Sequence, residues 1–143
     1  MTASVHILNG PNLNLLGIRE PHLYGHTTLA QVEQRCRAVA AGLGLGCEVR
    51  QSNHEGVLVD WVQEARAAGA AVIINPAGLS FRSIPLLDAL KTIDAPVIEV
   101  HLSDPSTREP FRQLSYVGMA AVDEVKGLGP QSYVVALEMA ALL

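Results

Sequence analysis

Ala70-Ala71-Val72-Ile73-Ile74 is apolar at every position. A run with no wet face predicts a central strand of a parallel sheet, covered by helices on both sides. Apolar runs and helical patterns alternate around it. Val5-His6-Ile7-Leu8 predicts a first buried strand. Thr28-Leu29-Ala30-Gln31 reads as a capping box, in which Thr and Gln satisfy backbone donors where a helix begins. Leu29, Val32, Cys36, Val39 and Leu43 then recur at spacings of three and four, one face of a helix that Gly44 and Gly46 end. Cys47-Glu48-Val49-Arg50-Gln51 predicts a second strand. Val57, Leu58, Trp61, Val62 and Ala65 predict a helix that stops at Gly69. Ile84, Leu87 and Leu90 predict a short helix, with Pro85 tolerated in its first turn. Val97-Ile98-Glu99-Val100 predicts a fourth strand, Met119 to Val125 a weaker fifth, and Pro130 the start of a last helix running to Leu143. Repeated strand-helix-strand units predict an α/β fold, a three-layer flavodoxin-like sandwich with five parallel strands in the order 2-1-3-4-5.

A chain of 143 residues fits one domain, taken as residues 1–143. Apolar residues make up 49% and charged residues 17%, enough for a substantial core. A net charge of -4 without a basic stripe argues against nucleic acid as a partner. No apolar run has the length of a membrane span. The start of the chain has neither a basic region nor a long apolar one, so a cytoplasmic protein without a leader is expected. Cys36 and Cys47 lack metal or redox spacing and read as reduced core thiols, although a disulfide is conceivable.

In such sheets ligands bind beyond the C-terminal strand ends. Four polar segments fall there. The first runs from Asn9 through Asn12 and Asn14 to Arg19, Tyr24 and Gly25, long for a strand-helix connection. It is either a lid or an ordinary surface loop whose asparagines hold turns, and the turn reading suits Asn9 and Asn14. Gln51-Ser52-Asn53-His54-Glu55-Gly56 carries more polar groups than one helix cap needs, which suggests a supporting network. Asn75-Pro76-Ala77-Gly78-Leu79-Ser80-Phe81-Arg82-Ser83 lacks the Lys-Ser/Thr ending of a phosphate loop, so a flavin- or nucleotide-binding role is weak. In the fourth, Glu99 and His101 share one strand face. A carboxylate beside an imidazole fixes its tautomer and suits a general acid; a purely structural pair is an equal alternative. Arg108 and Arg112 either face a common site or pair locally.

Taken together these stretches resemble the type II 3-dehydroquinate dehydratases. The resemblance rests on Leu8-Asn9-Gly10-Pro11-Asn12-Leu13-Asn14-Leu15-Leu16-Gly17, Arg19-Glu20-Pro21 with Tyr24-Gly25, Gln51 to Gly56, Ile74-Asn75-Pro76, Glu99-Val100-His101-Leu102-Ser103 and Arg108 to Arg112. It implies a lyase without cofactor or metal, assembled as a dodecamer, a tetramer of trimers. The implied reaction is the anti elimination of water from 3-dehydroquinate, a cyclic polyhydroxy carboxylate, in biosynthesis or in quinate catabolism. Tyr24 matches the base and Arg19 the cation that keeps it ionised; lowering a phenol's pKa by about three units takes roughly 4 kcal/mol. Asn12 matches the holder of an enolate-stabilising water, and His101 the acid, oriented by Glu99. Asn75 and the backbones of Leu102 and Ser103 match the site of the substrate carboxylate and C1 region. Arg112 matches a ring-hydroxyl contact, and Asp88 a residue reaching a neighbouring subunit's site.

Departures from the family pattern cluster on the hydroxyl-recognition side. The family histidine that contacts ring hydroxyls is Phe81, and Arg82 is a new charge beside it. Gln113-Leu114-Ser115 stands for His-His-Ser, and Ser132 for a glycine. Phe81 offers a hydroxyl no conventional partner, which for a buried group costs about 1–3 kcal/mol. Either Arg82 compensates, or the substrate is an analogue lacking or replacing that hydroxyl. A catalytically silent homologue is the third reading; retention of Asn12, Arg19, Tyr24, Glu99 and His101 together argues against it.

Overall fold

The computed structural model describes residues 3–143 and, of Tyr24, the backbone alone. Met1 and Thr2, read as part of a leaderless start, lie outside the described residues, as does the Tyr24 side chain.

Five parallel strands make one sheet: β1 (Ser4–Asn9), β2 (Gly46–Gln51), β3 (Ala71–Asn75), β4 (Val97–His101) and β5 (Asp123–Lys126), in the order β2-β1-β3-β4-β5. The helices are α1 (Pro21–Tyr24), α2 (Leu29–Gly42), α3 (Glu55–Ala68), α4 (Ile84–Leu90) and α5 (Gln131–Leu142). The flavodoxin-like three-layer order expected from the alternation is present.

Period-two alternation sorts the core. Val5, Ile7, Ala71, Ile73, Ile98 and Val100 pack with Val32, Cys36 and Ala40 of α2 and with Tyr133, Ala136, Leu137 and Ala140 of α5. Leu8, Val72, Ile74 and Val97 face Leu58, Val62 and Ala65 of α3 and Leu86, Ala89 and Leu90 of α4. β3 is buried at all five positions, as its composition requires.

Helix ends follow their local chemistry. Thr28 and Gln31 form the complete capping box, with Gln31 N–H donating to Thr28 Oγ1 at 3.2 Å and Thr28 N–H donating to Gln31 Oε1 at 3.0 Å. Gly69 ends α3 at φ 66°, where a Cβ would be strained. Burial holds the Cys36 thiol near its protonated form, with its pKa pushed up to about 12, and both cysteines are free.

Several local expectations need correction. The fifth strand covers Asp123–Lys126, not Met119 to Val125, because Val117–Ala120 closes a 3-10 turn. That turn lets Gly118 approach the Glu99 carboxylate; a Cβ on Gly118 would lie 2.9 Å from Glu99 Oε1. α4 buries Leu86, Leu87, Ala89 and Leu90, whereas Ile84 stays half exposed next to its Ser83 cap. On α2 the deepest positions are Val32, Cys36 and Ala40, and Leu43 lies past the helix end. Among the described residues no helix is long and apolar enough to cross a membrane.

Candidate active site

The strand order reverses at β1, and in such sheets ligands bind at the C-terminal strand ends beside the reversal. A cavity of about 130 Å³ lies there, bounded by the loops after β1, β3 and β4. Asn12, Arg19, Asn75, Phe81, His101, Leu102, Ser103, Arg108 and Arg112 all line it. Residues from Asn12 to Arg112, a hundred positions apart, are thus gathered by the sheet's topology.

The loop after β1 is pressed against the loop after β3. Gly10 N–H donates to Asn75 O at 2.8 Å, and a Cβ on Gly10 would stand 2.5 Å from Pro76 O. Only glycine fits that approach. Asn12 follows in the left-handed region at φ 71°, a conformation asparagine tolerates better than most residues. Its N–H donates to Asn53 Oδ1 at 2.9 Å, and Gln51 Nε2 donates to Gly10 O at 3.2 Å and to Asn53 Oδ1 at 3.1 Å. The polar cluster after β2 is therefore the expected supporting network. His54 precedes α3, with its N–H bonded to Ser52 Oγ, and does not line the cavity.

Asn9 is the clearest correction. The turn reading given to it fails, because it is the fully buried last residue of β1. Tyr133 on α5 donates to Asn9 Oδ1 at 2.5 Å and accepts from Asn75 Nδ2 at 3.0 Å. Asn75 Oδ1 in turn accepts from Ala77 N–H at 3.2 Å, holding Ala77 at φ 54° in the cavity wall. Burial pushes the Tyr133 phenol up, so it stays a neutral donor. Tyr133→Phe should strand Asn9 Oδ1 and Asn75 Nδ2, each a buried polar group worth about 1–3 kcal/mol. Urea unfolding measures this, and a loss below about 0.5 kcal/mol would mean that water or a repacked asparagine replaces the hydroxyl.

On β4, Glu99 and His101 share a face as expected. His101 Nε2 lies 3.2 Å from Glu99 Oε2, and their side chains are 7% and 0% exposed. Burial works against the Glu99 charge, but interactions with His101 and Ser115 prevail and hold its carboxyl below the usual range. Ser115 Oγ donates to Glu99 Oε2 at 2.5 Å while accepting from Gly118 N–H at 3.0 Å. Ser115 was legible only as the serine of the His-His-Ser match, without a role, and Tyr133 stood in no motif; a hydroxyl in the apolar face of α5 was the available signal for Tyr133.

The remaining wall is cationic and aromatic. Arg19 pairs with Glu20 at 2.9 Å, and Arg112 pairs with Glu109. Phe81 stacks with His101, their rings 6.3 Å apart and 21° from parallel, and the Arg112 guanidinium lies 5.6 Å from the centre of the Phe81 ring. Phe81 thus packs against both the imidazole and the guanidinium. Arg82 is exposed and does not line the cavity of its own chain. Gln113 instead braces the 105–107 turn through Ser106 O at 2.9 Å. Asp88 lies exposed on α4, away from the cavity of its own chain.

Comparison with known proteins identifies the family. The family model described as Dehydroquinase class II matches residues 3–141. A protein of Caulobacter sp. (strain K31) named 3-dehydroquinate dehydratase is 57% identical over 141 residues, covering 99% of this chain and 96% of the relative. The crystal structure of the type II dehydroquinase from Propionibacterium acnes superposes with a TM-score of 0.96 at 40% identity, covering 100% of this chain and 99% of that one. The type II dehydroquinase from Butyrivibrio crossotus gives 0.94 at 33% identity, with 97% of each chain covered. A family match over residues 3–141 together with a full-length likeness in sequence and fold gives one conclusion: this chain belongs to the class II dehydroquinases.

Proposed function

We propose that the chain dehydrates 3-dehydroquinate to 3-dehydroshikimate by anti elimination through an enolate. The observation that carries this is the buried Glu99–His101 pair, whose His101 lines a cavity that Arg19 and Asn12 also line. Tyr24, as its anion, takes the proton from C2 next to the ketone. Arg19 favours that anion by its charge. The electron pair moves onto the carbonyl oxygen, and a water held by Asn12 donates to the enolate. When the ketone re-forms, the C1–O bond breaks and His101 protonates the departing hydroxyl, which leaves as water. With Nε2 turned to Glu99, Nδ1 is the nitrogen left to reach the cavity.

Asn75 Nδ2 gives one hydrogen to Tyr133 and keeps a second for the substrate carboxylate, beside the backbones of Leu102 and Ser103. Arg112 meets a ring hydroxyl. Asp88, exposed on α4, serves the site of a neighbouring copy in a dodecamer, working in the cytoplasm without a cofactor. The test is direct: purified protein mixed with 3-dehydroquinate should generate the conjugated enone, read in the near ultraviolet. No enone at high enzyme concentration would sink the proposal.

Phe81 favours a second reading, a dehydroquinate analogue whose ring lacks or replaces one hydroxyl. It places a hydrocarbon ring between His101 and Arg112. If 3-dehydroquinate is the substrate, Phe81→His should lower KM about tenfold with kcat little changed, one recovered hydrogen bond being worth about 1.4 kcal/mol. A loss of efficiency on dehydroquinate would favour the analogue instead.

A further inference from the structure

Behind the Glu99–His101 pair the sheet carries a second carboxylate with no role in the reaction above. Glu124 on β5 is the register partner of Glu99 on β4, and Lys126 is that of His101. The four side chains form a square on one face of the sheet. One ligating atom each of Glu99, His101 and Glu124 lies within 4.8 Å of the others. Lys126 Nζ stands 3.1 Å from Glu124 Oε1, at the outer edge.

The square runs from the cavity to solvent. His101 lines the cavity, Glu99 is fully buried, and the Glu124 side chain is 36% exposed. Two carboxylates this close do not both ionise freely. Ser115 Oγ donates to Glu99 Oε2 and His101 Nε2 lies 3.2 Å from the same oxygen, while Glu99 Oε1 and His101 Nε2 are both buried without a hydrogen-bond partner. A proton on Glu124 would give the Glu99 carboxylate a further donor, and Glu124, nearer to water, is the member that can exchange it. Burial and the adjoining Glu99 raise Glu124 above the ordinary carboxylate value, in the same direction.

We propose that Glu124 is a positioning residue that shares a proton with Glu99 and so sets the charge that stands behind the His101 acid. This rests on the reading of His101 as the acid. When Glu124 loses its proton, a negative charge appears behind the pair and favours the protonated imidazole. Lys126 opposes it. The other charged groups that reach this end of the sheet are Asp104, 3.8 Å from Lys126, and the cavity cations Arg19, Arg108 and Arg112.

Glu124→Gln keeps a donor to Glu99 but cannot ionise. It should move the alkaline limb of the kcat profile to lower pH by about 0.5–2.5 units, the range for one charge about 5 Å away between water-like and near-surface screening. Lys126→Met should move that limb to higher pH. Neither touches substrate. An activity-independent reading is carbon-13 NMR of the glutamate δ-carbons, where the Glu99 resonance should show a second inflection that disappears in Glu124→Gln. An unmoved limb in both variants, or a Glu99 resonance with one inflection, overturns the proposal. If the second inflection is present but His101→Asn keeps full turnover, the acid assignment fails and the proton sharing stands.

Discussion

Tyr24→Phe should reduce turnover of 3-dehydroquinate by about 10²–10⁴-fold, the usual contribution of a positioned base. The substitution removes one oxygen and keeps the ring. The backbone of α1 has its own closure: the short helix starts at Pro21 and Gly25 N–H donates to Pro21 O at 2.8 Å. The segment that carries it is bounded by Gly17 at φ 89° and Gly25 at φ 79°, positions where other residues are strained. A Cβ on Gly17 would also meet His26 O at 2.8 Å. Folding should therefore survive, with circular dichroism and thermal unfolding unchanged. A base acts only in the transition state, so kcat and kcat/KM should fall together with KM nearly constant. Turnover within about tenfold of the parent would remove Tyr24 from the role. Arg19→Met should echo the loss more weakly, because the phenol remains but its anion is less favoured.

Strand identity was legible wherever one face or both had to be dry. β3, with no polar position before Asn75, admits a single interpretation. The α2 start was legible because Thr28 and Gln31 satisfy each other within four residues. The fifth strand was not, because an edge strand with the pattern Asp123-Glu124-Val125-Lys126 buries only Val125. Its true neighbours are set by register with β4, a long-range fact. The same distinction governs the site. Glu99 and His101 are two residues apart on a strand, so their pairing follows from local geometry. The Asn9–Tyr133–Asn75 chain joins three elements across 124 positions and has no local signature. Asn9 consequently read as a turn residue, although its side chain bonds buried Tyr133. The family resemblance supplied roles for Tyr24 and Asp88 that a single chain's geometry does not contain. It also marked Phe81 as a departure, and the geometry then showed what the phenyl ring packs against.

His101→Asn should lower kcat by about 10²–10⁴-fold while leaving the fold intact, and the comparison with His101→Ala explains why the two differ. The Asn amide can still donate toward Glu99 Oε2, which also keeps Ser115 as a donor. Alanine cannot donate. It leaves a fully buried carboxylate short of its main partner, and breaking a buried pair from one side costs about 3–5 kcal/mol. Loss of activity in the alanine variant would then mix chemistry with unfolding, whereas in the asparagine variant it reports chemistry alone. Acid unfolding separates them further. Glu99 is held below the usual carboxylate range in the fold, so its contribution to stability is full above the unfolded value of about 4.3. That contribution is lost as pH falls through the lower folded value. Removing the imidazole brings the folded value back toward the unfolded one, so His101→Ala should be less stable at neutral pH and should lose less on acidification. Equal stability of His101→Ala and the parent at pH 7 would mean that Ser115 and solvent suffice for Glu99. Turnover of His101→Asn within about tenfold of the parent would mean that the leaving hydroxyl takes its proton elsewhere.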